Sequence, residues 1–184
     1  MNSINLRRNV SHIFLLAAVS VFLLACQGGV QQRPGLRFSV SFPEALSKEP
    51  LDGRMILIFS TDDSAEPRFQ ISVSEKTQLA FGIDVEGLKP NTEALFDAGV
   101  FGYPLKSMAD LPAREYWVQA LLHRYETFHL ADGRVLKLPM DRGEGQQWNL
   151  APGNLISTPR KIAIDPKKSR TISLLLDKII PPIA

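Results

Sequence analysis

Cysteine, tryptophan and histidine are all scarce in this chain of 184 residues, which holds one, two and three of them. A single cysteine forbids an internal disulfide, so packing alone must hold the fold even in an oxidising compartment. Few histidines leave little material for a metal centre or a catalytic base. No apolar run reaches the roughly 20 residues of a membrane-spanning helix. Beyond residue 30 no stretch sustains a helical period. Gly-x-Ser-x-Gly is missing, and with it the strained turn that exposes a hydrolase serine. Gly143-Glu144-Gly145 lacks the strand-before, helix-after setting of a phosphate loop. No cofactor motif is present, and no cofactor is expected.

The cysteine that is present is well placed. Arg7 and Arg8 precede the mostly apolar stretch from Ile13 to Ala25, and Cys26 follows directly. Cations, a short apolar run and a small residue at the cut are the parts of a secretory signal, here residues 1–25. Leu23-Leu24-Ala25-Cys26 resembles the lipobox of bacterial lipoproteins. The resemblance implies that Cys26 is acylated, becomes the new N-terminus and anchors the chain to a membrane. Gln27 is not the aspartate that resembles an inner-membrane retention signal, so the expected address is the outer membrane, periplasm-facing. Residues 26–35, polar and glycine-bearing, read as a lipidated tether.

Of the 21 Lys and Arg, only Arg7 and Arg8 leave with the signal, so the remainder equals the 19 Asp and Glu. A balanced surface gives no electrostatic reason to expect nucleic acid. Thirteen prolines and twelve glycines suit short strands joined by turns. Period-2 alternation predicts strands at Leu36–Phe42, Phe69–Val73 and Leu79–Val85, and the continuous run Met55–Phe59 suits a central strand. Tyr116–Leu122 is the strongest candidate, dense in aromatic and branched residues. Shorter strands are expected near 126–130 and 134–138, with Asp132-Gly133 as their turn, and at 159–164 and 171–177. Residues 139–157 read as a long surface loop. About eight to ten such strands make residues 36–178 an all-β domain, an antiparallel immunoglobulin-like β-sandwich, with 179–184 as a truncated linker. Tyr116 either pins a corner through its hydroxyl, as in that fold, or is one strand aromatic among several.

Chemistry is sparse. His123 and His129 could approach across a hairpin and, with Glu126, supply two imidazoles and a carboxylate to a metal. His123, ending an apolar strand, equally suits a structural role. Asp62, Asp63 and Glu66 offer oxygens in one turn but lack the spacing of a calcium loop. Lys167, Lys168 and Arg170 read as a wet hairpin tip. Trp148, on the long loop, is the better of the two tryptophans for stacking on a ligand.

Phe42-Pro43-Glu44-Ala45-Leu46, Gly53–Ser60, Glu66-Pro67-Arg68-Phe69 and Asp110–Ala120 together resemble the leading region of large secreted bacterial esterases related to enterochelin esterases. Asn154–Pro159 and Lys178–Pro182 resemble the end of that region and the start of its linker. In that family a β-rich leading domain precedes an α/β-hydrolase. The resemblance implies a non-catalytic module and carries over no nucleophile, acid or histidine. The expected function is therefore an accessory or docking domain for a hydrolase or an envelope polymer. The alternatives are a fragment of a split or truncated esterase, and a carbohydrate- or peptide-binding module.

Overall fold

The computed structural model describes residues 35–74 and 76–183. The expected signal, Cys26 and nearly all of the tether lie outside these residues. Twelve strands follow in chain order: β1 Leu36–Ser41, β2 Leu51–Ser60, β3 Leu79–Leu88, β4 Ala94–Phe96, β5 Gly102–Tyr103, β6 Arg114–Arg124, β7 Glu126–His129, β8 Val135–Leu138, β9 Leu155–Ile156, β10 Arg160–Ile164, β11 Arg170–Leu175 and β12 Lys178–Ile179. The only helical pieces among the described residues are 3-10 turns at Pro67–Phe69 and Met108–Asp110.

Two sheets face each other, so the domain is an all-β sandwich. The larger runs β12-β9-β6-β2-β3-β5, with β10 also on β6, and the smaller runs β11-β1-β4. The long strand β6 is served along one side by β9 and then β10 in succession. Alternation along β2 and β6 sends Met55, Leu57, Phe59, Tyr116, Val118, Ala120 and Leu122 inward, against Phe38 and Val40 of β1 and Ile172 and Leu174 of β11. Phe59 is the hub, meeting Phe38, Phe81 and Tyr116 edge to face at 5.3, 5.8 and 5.7 Å. Edge-to-face contact is favoured by the ring quadrupoles. The Tyr116 hydroxyl donates to the Pro112 carbonyl at 3.0 Å, pinning the approach to β6. A separate hairpin, β7-β8, turns at Asp132-Gly133 as expected. It is tied to the larger sheet through Lys137, which pairs with Asp52 at 3.1 Å and Glu86 at 3.5 Å.

The structure corrects the sequence reading in four places. Pairing is antiparallel throughout except for β1 and β11, which run parallel from Leu36↔Arg170 to Ser41↔Leu175. These strands come from opposite ends of the domain, so no hairpin dictates their direction. The alternating Phe69–Val73 segment is not a strand. Pro67 opens a 3-10 turn there, and Phe69 and Val73 face solvent, so the alternation has no core to serve. Residues 139–157 are only partly a surface loop, because Ala151 and Asn154–Ser157 are buried and Leu155–Ile156 pair with β6. Finally, packing continues past residue 178: Ile180 is buried, donates its N–H to the Asn154 carbonyl and accepts from the Gly153 N–H, each at 2.9 Å.

Candidate functional site

The outer face of the larger sheet carries the groove. On β2 and β3 the outward positions pair as Arg54↔Asp84, Ile56↔Gly82 and Ile58↔Ala80. Over this strip lies a surface groove of about 210 Å³, floored by Ile56, Ala80 and Gly82 and walled by Phe101, Tyr103 and Trp148, with Arg54 at one end. Phe101 is 67% and Tyr103 45% exposed, and Trp148 is half-buried. Among the described residues none of these three rings touches another aromatic.

Partly buried polar bonds hold the backbone at Trp148 in place. Its carbonyl accepts from Asn154 Nδ2 at 2.8 Å, and Asn154 Oδ1 accepts from the Arg124 N–H of β6 at 3.0 Å. Asn149, next in the chain, donates to the Arg68 carbonyl at 3.2 Å while its own carbonyl accepts from the Arg68 guanidinium. Arg68 is fixed in turn: its N–H donates to Gln119 Oε1 at 3.1 Å. Gln119, fully buried on β6, donates to Glu66 Oε2 at 2.9 Å and to the Ser157 carbonyl at 3.1 Å. Burial works against the charge of Glu66. The Gln119 hydrogen bond and the Arg68 guanidinium outweigh it and hold the carboxyl below its ordinary range. The indole itself packs beside Ile56 against Leu121, Ile156 and Ile180. A rigid aromatic anchored from behind is the usual form of a contact residue.

Gly82 shapes the other end. A Cβ there would come 2.9 Å from Arg54 Nε and 3.1 Å from Nη2. The missing side chain therefore lets the guanidinium lie across β3, where Nη1 meets Asp84 Oδ1 at 2.8 Å and Nη2 meets the Gly82 carbonyl at 3.4 Å. Gly102 has a similar part in β5. A Cβ would sit 2.3 Å from the Phe81 ring, so only glycine carries the strand past it.

The alternative metal set of His123, Glu126 and His129 is not assembled. Along β7, Glu126 and His129 are an odd number of residues apart and so fall on opposite faces, and the Glu126 carboxylate is taken by Arg142. His123 lies on the outer face of β6, half-buried and edge to face with Tyr125 at 5.8 Å. Burial lowers its pKa, with Glu144 pulling the other way. His123 and Glu126 share a cleft of about 20 Å³, room for a water, which His129 does not reach. Among the described residues no three metal-ligating side chains are grouped. Asp62 accepts from the Ser64 N–H at 2.8 Å and from its hydroxyl at 2.9 Å, and the Glu66 carboxylate is held by Arg68 and Gln119, so two of the three carboxylates are already engaged.

Of the residues marked in the sequence, Trp148 is thus the one that reaches a groove. Its companions Phe101, Tyr103, Arg54 and Gly82 were missed. The one local signal was Phe101-Gly102-Tyr103-Pro104, two aromatics in a segment of turn residues. No protein-family model, curated protein or solved structure matches this chain.

Proposed function

We propose that this chain is a non-catalytic, lipid-anchored β-sandwich of the bacterial envelope, an accessory or docking module that works by binding through the groove at Trp148. The groove carries the reading: exposed aromatics on a sheet, with the tryptophan held by partly buried backbone bonds and by apolar packing, form a surface preorganised for contact. The Leu23–Cys26 sequence supports anchoring at Cys26 and an outer-membrane, periplasm-facing address. The similarity of Gly53–Ser60 and Asp110–Ala120 to the leading domain of bacterial esterases supports a role beside a hydrolase or on envelope polymer. The Tyr116–Pro112 bond is consistent with kinship to immunoglobulin-like domains.

Cosedimentation of the full chain with purified insoluble envelope polymer tests the reading. Wild-type protein should pellet with the polymer, and Trp148→Ala should stay in the supernatant while keeping the wild-type circular dichroism at the assay temperature, even though losing the indole's packing on Leu121, Ile156 and Ile180 lowers its melting temperature. Equal pelleting of the two proteins would remove the groove from the function. Cys26→Ala should leave the membrane fraction or remain uncut, because the acyl chains hold by about 0.8 kcal/mol per buried methylene. A mutant that is membrane-bound and processed like wild type would refute the anchor.

A further inference from the structure

We infer that the groove takes one ring of a neutral sugar chain, stacked between Trp148 and the Phe101–Tyr103 wall, with its hydroxyls met by Arg54 and Asp84. The inference rests on the groove being the contact surface and names what the surface contacts.

A pyranose ring presents apolar C–H faces and a rim of hydroxyls, so its site needs flat apolar walls and polar groups near the edge. The groove has this division. Ile56, Ala80 and Gly82 give a floor with little relief, and three rings without aromatic neighbours form the sides. Its volume of about 210 Å³ is below the roughly 300–1,000 Å³ of sites that enclose a drug-sized ligand, and its open ends let a chain run on. Polar groups stand at the edge. Arg54 and Asp84 form a fixed donor–acceptor pair with exposures of 39% and 66%. The Tyr103 hydroxyl and Trp148 indole N–H bond nothing else among the described residues.

The same geometry disfavours other occupants. An anion would find the one cation of the groove, Arg54, already matched to Asp84. An extended peptide adding to a sheet edge needs unpaired backbone groups. Here β5 covers the β3 edge at Ala80 and Phe81, and the Gly82 N–H donates to the Phe101 carbonyl at 3.2 Å. Stacking with hydroxyl bonding is the chemistry left open.

The test follows Trp148 fluorescence in the full chain carrying Trp117→Phe, titrated with soluble tetrasaccharides of glucose, galactose, mannose and N-acetylglucosamine in several linkages. At least one should give a saturable change that is insensitive to salt, since no charge is exchanged. Trp148→Ala, followed by calorimetry, should weaken that binding about tenfold or more. Gly82→Ala is the sharper variant. Its Cβ meets the end of a flexible side chain, so it should displace Arg54 and weaken binding several-fold while the melting temperature holds. No response to any tetrasaccharide overturns the inference. A response that survives both substitutions also overturns it, by placing the sugar elsewhere. An apolar peptide that binds with dependence on Trp148, where no sugar does, refutes the sugar and leaves the docking surface standing. Loss of Trp148 dependence in the envelope cosedimentation would refute the surface itself.

Discussion

The two faces of the larger sheet use aromatic residues in opposite ways. On the inner face Phe59 is enclosed by Phe38, Phe81 and Tyr116, each ring satisfied by another. On the outer face Phe101, Tyr103 and Trp148 stand apart around a groove. The difference lies in what covers each face. The inner one meets a second sheet, which excludes water evenly. The outer one meets the segments 61–70 and 147–154, which are held over part of the sheet by polar bonds from Gln119 to Arg68 and Glu66 and from Arg68 to Asn149, and leave a strip uncovered. Stability should thus reside in the first set of rings and recognition in the second.

Replacing the hub of the inner set should have the largest effect. Phe59→Ala leaves a cavity among three rings and should cost about 3–5 kcal/mol, measured by urea denaturation. A loss under about 1 kcal/mol would show that the faces do not differ as described. Gln119→Leu should follow, at about 1–3 kcal/mol, because the buried Ser157 carbonyl and the half-buried Arg68 N–H and Glu66 carboxylate lose partners. It should also weaken binding in the groove, which Gln119 does not touch, since Asn149 and Trp148 hang from the same network. Unchanged binding would uncouple the network from the site. Tyr116→Phe removes one hydroxyl bond and should cost about 0.5–1.5 kcal/mol, with groove binding intact.

The smallest effect is a pH dependence on the outer face. The His123 pKa is lowered from 6.5 by burial, so the unfolded chain binds the proton more readily than the folded one. Stability should be full above the unfolded value and fall as the pH drops through it. His123→Leu should flatten melting temperature between about pH 7 and 5. Asp52 acts in a lower window. The Gly87 N–H at 2.7 Å and Lys137 outweigh burial and lower its pKa from 3.8, so its contribution is lost only as acid protonates the folded carboxylate. A slope near neutrality that survives His123→Leu would assign the titration to another group.

The long strands were legible in the sequence because each carries its own pattern. Met55–Phe59 is apolar throughout since its inner positions meet the core while its outer ones are the buried Ile58 and the half-buried groove floor Ile56, and Tyr116–Leu122 is dense in residues that favour strands. The 126–138 hairpin announced itself by Asp132-Gly133. Strands β4, β5, β9 and β12, of two or three residues each, are too short to show a period and exist only because a longer neighbour offers an edge. Phe69–Val73 shows the converse, a period without a partner. The groove was half legible. An indole on a loop rich in Gly and Asn marked Trp148, but Phe101, Tyr103 and Arg54 are distant in sequence and meet it only through strand register.

The parallel pairing of β1 with β11 has a mechanical consequence. A pull on the chain at Gly35, opposed anywhere beyond Leu175, acts along the two strands in opposite senses. The six register pairs from Leu36↔Arg170 to Ser41↔Leu175 are then loaded together in shear. An antiparallel pair pulled from the same end would peel open one bond at a time. The Ser39–Ser173 hydroxyl bond, 2.9 Å long and between residues 134 apart in sequence, lies within that seam and shares the load.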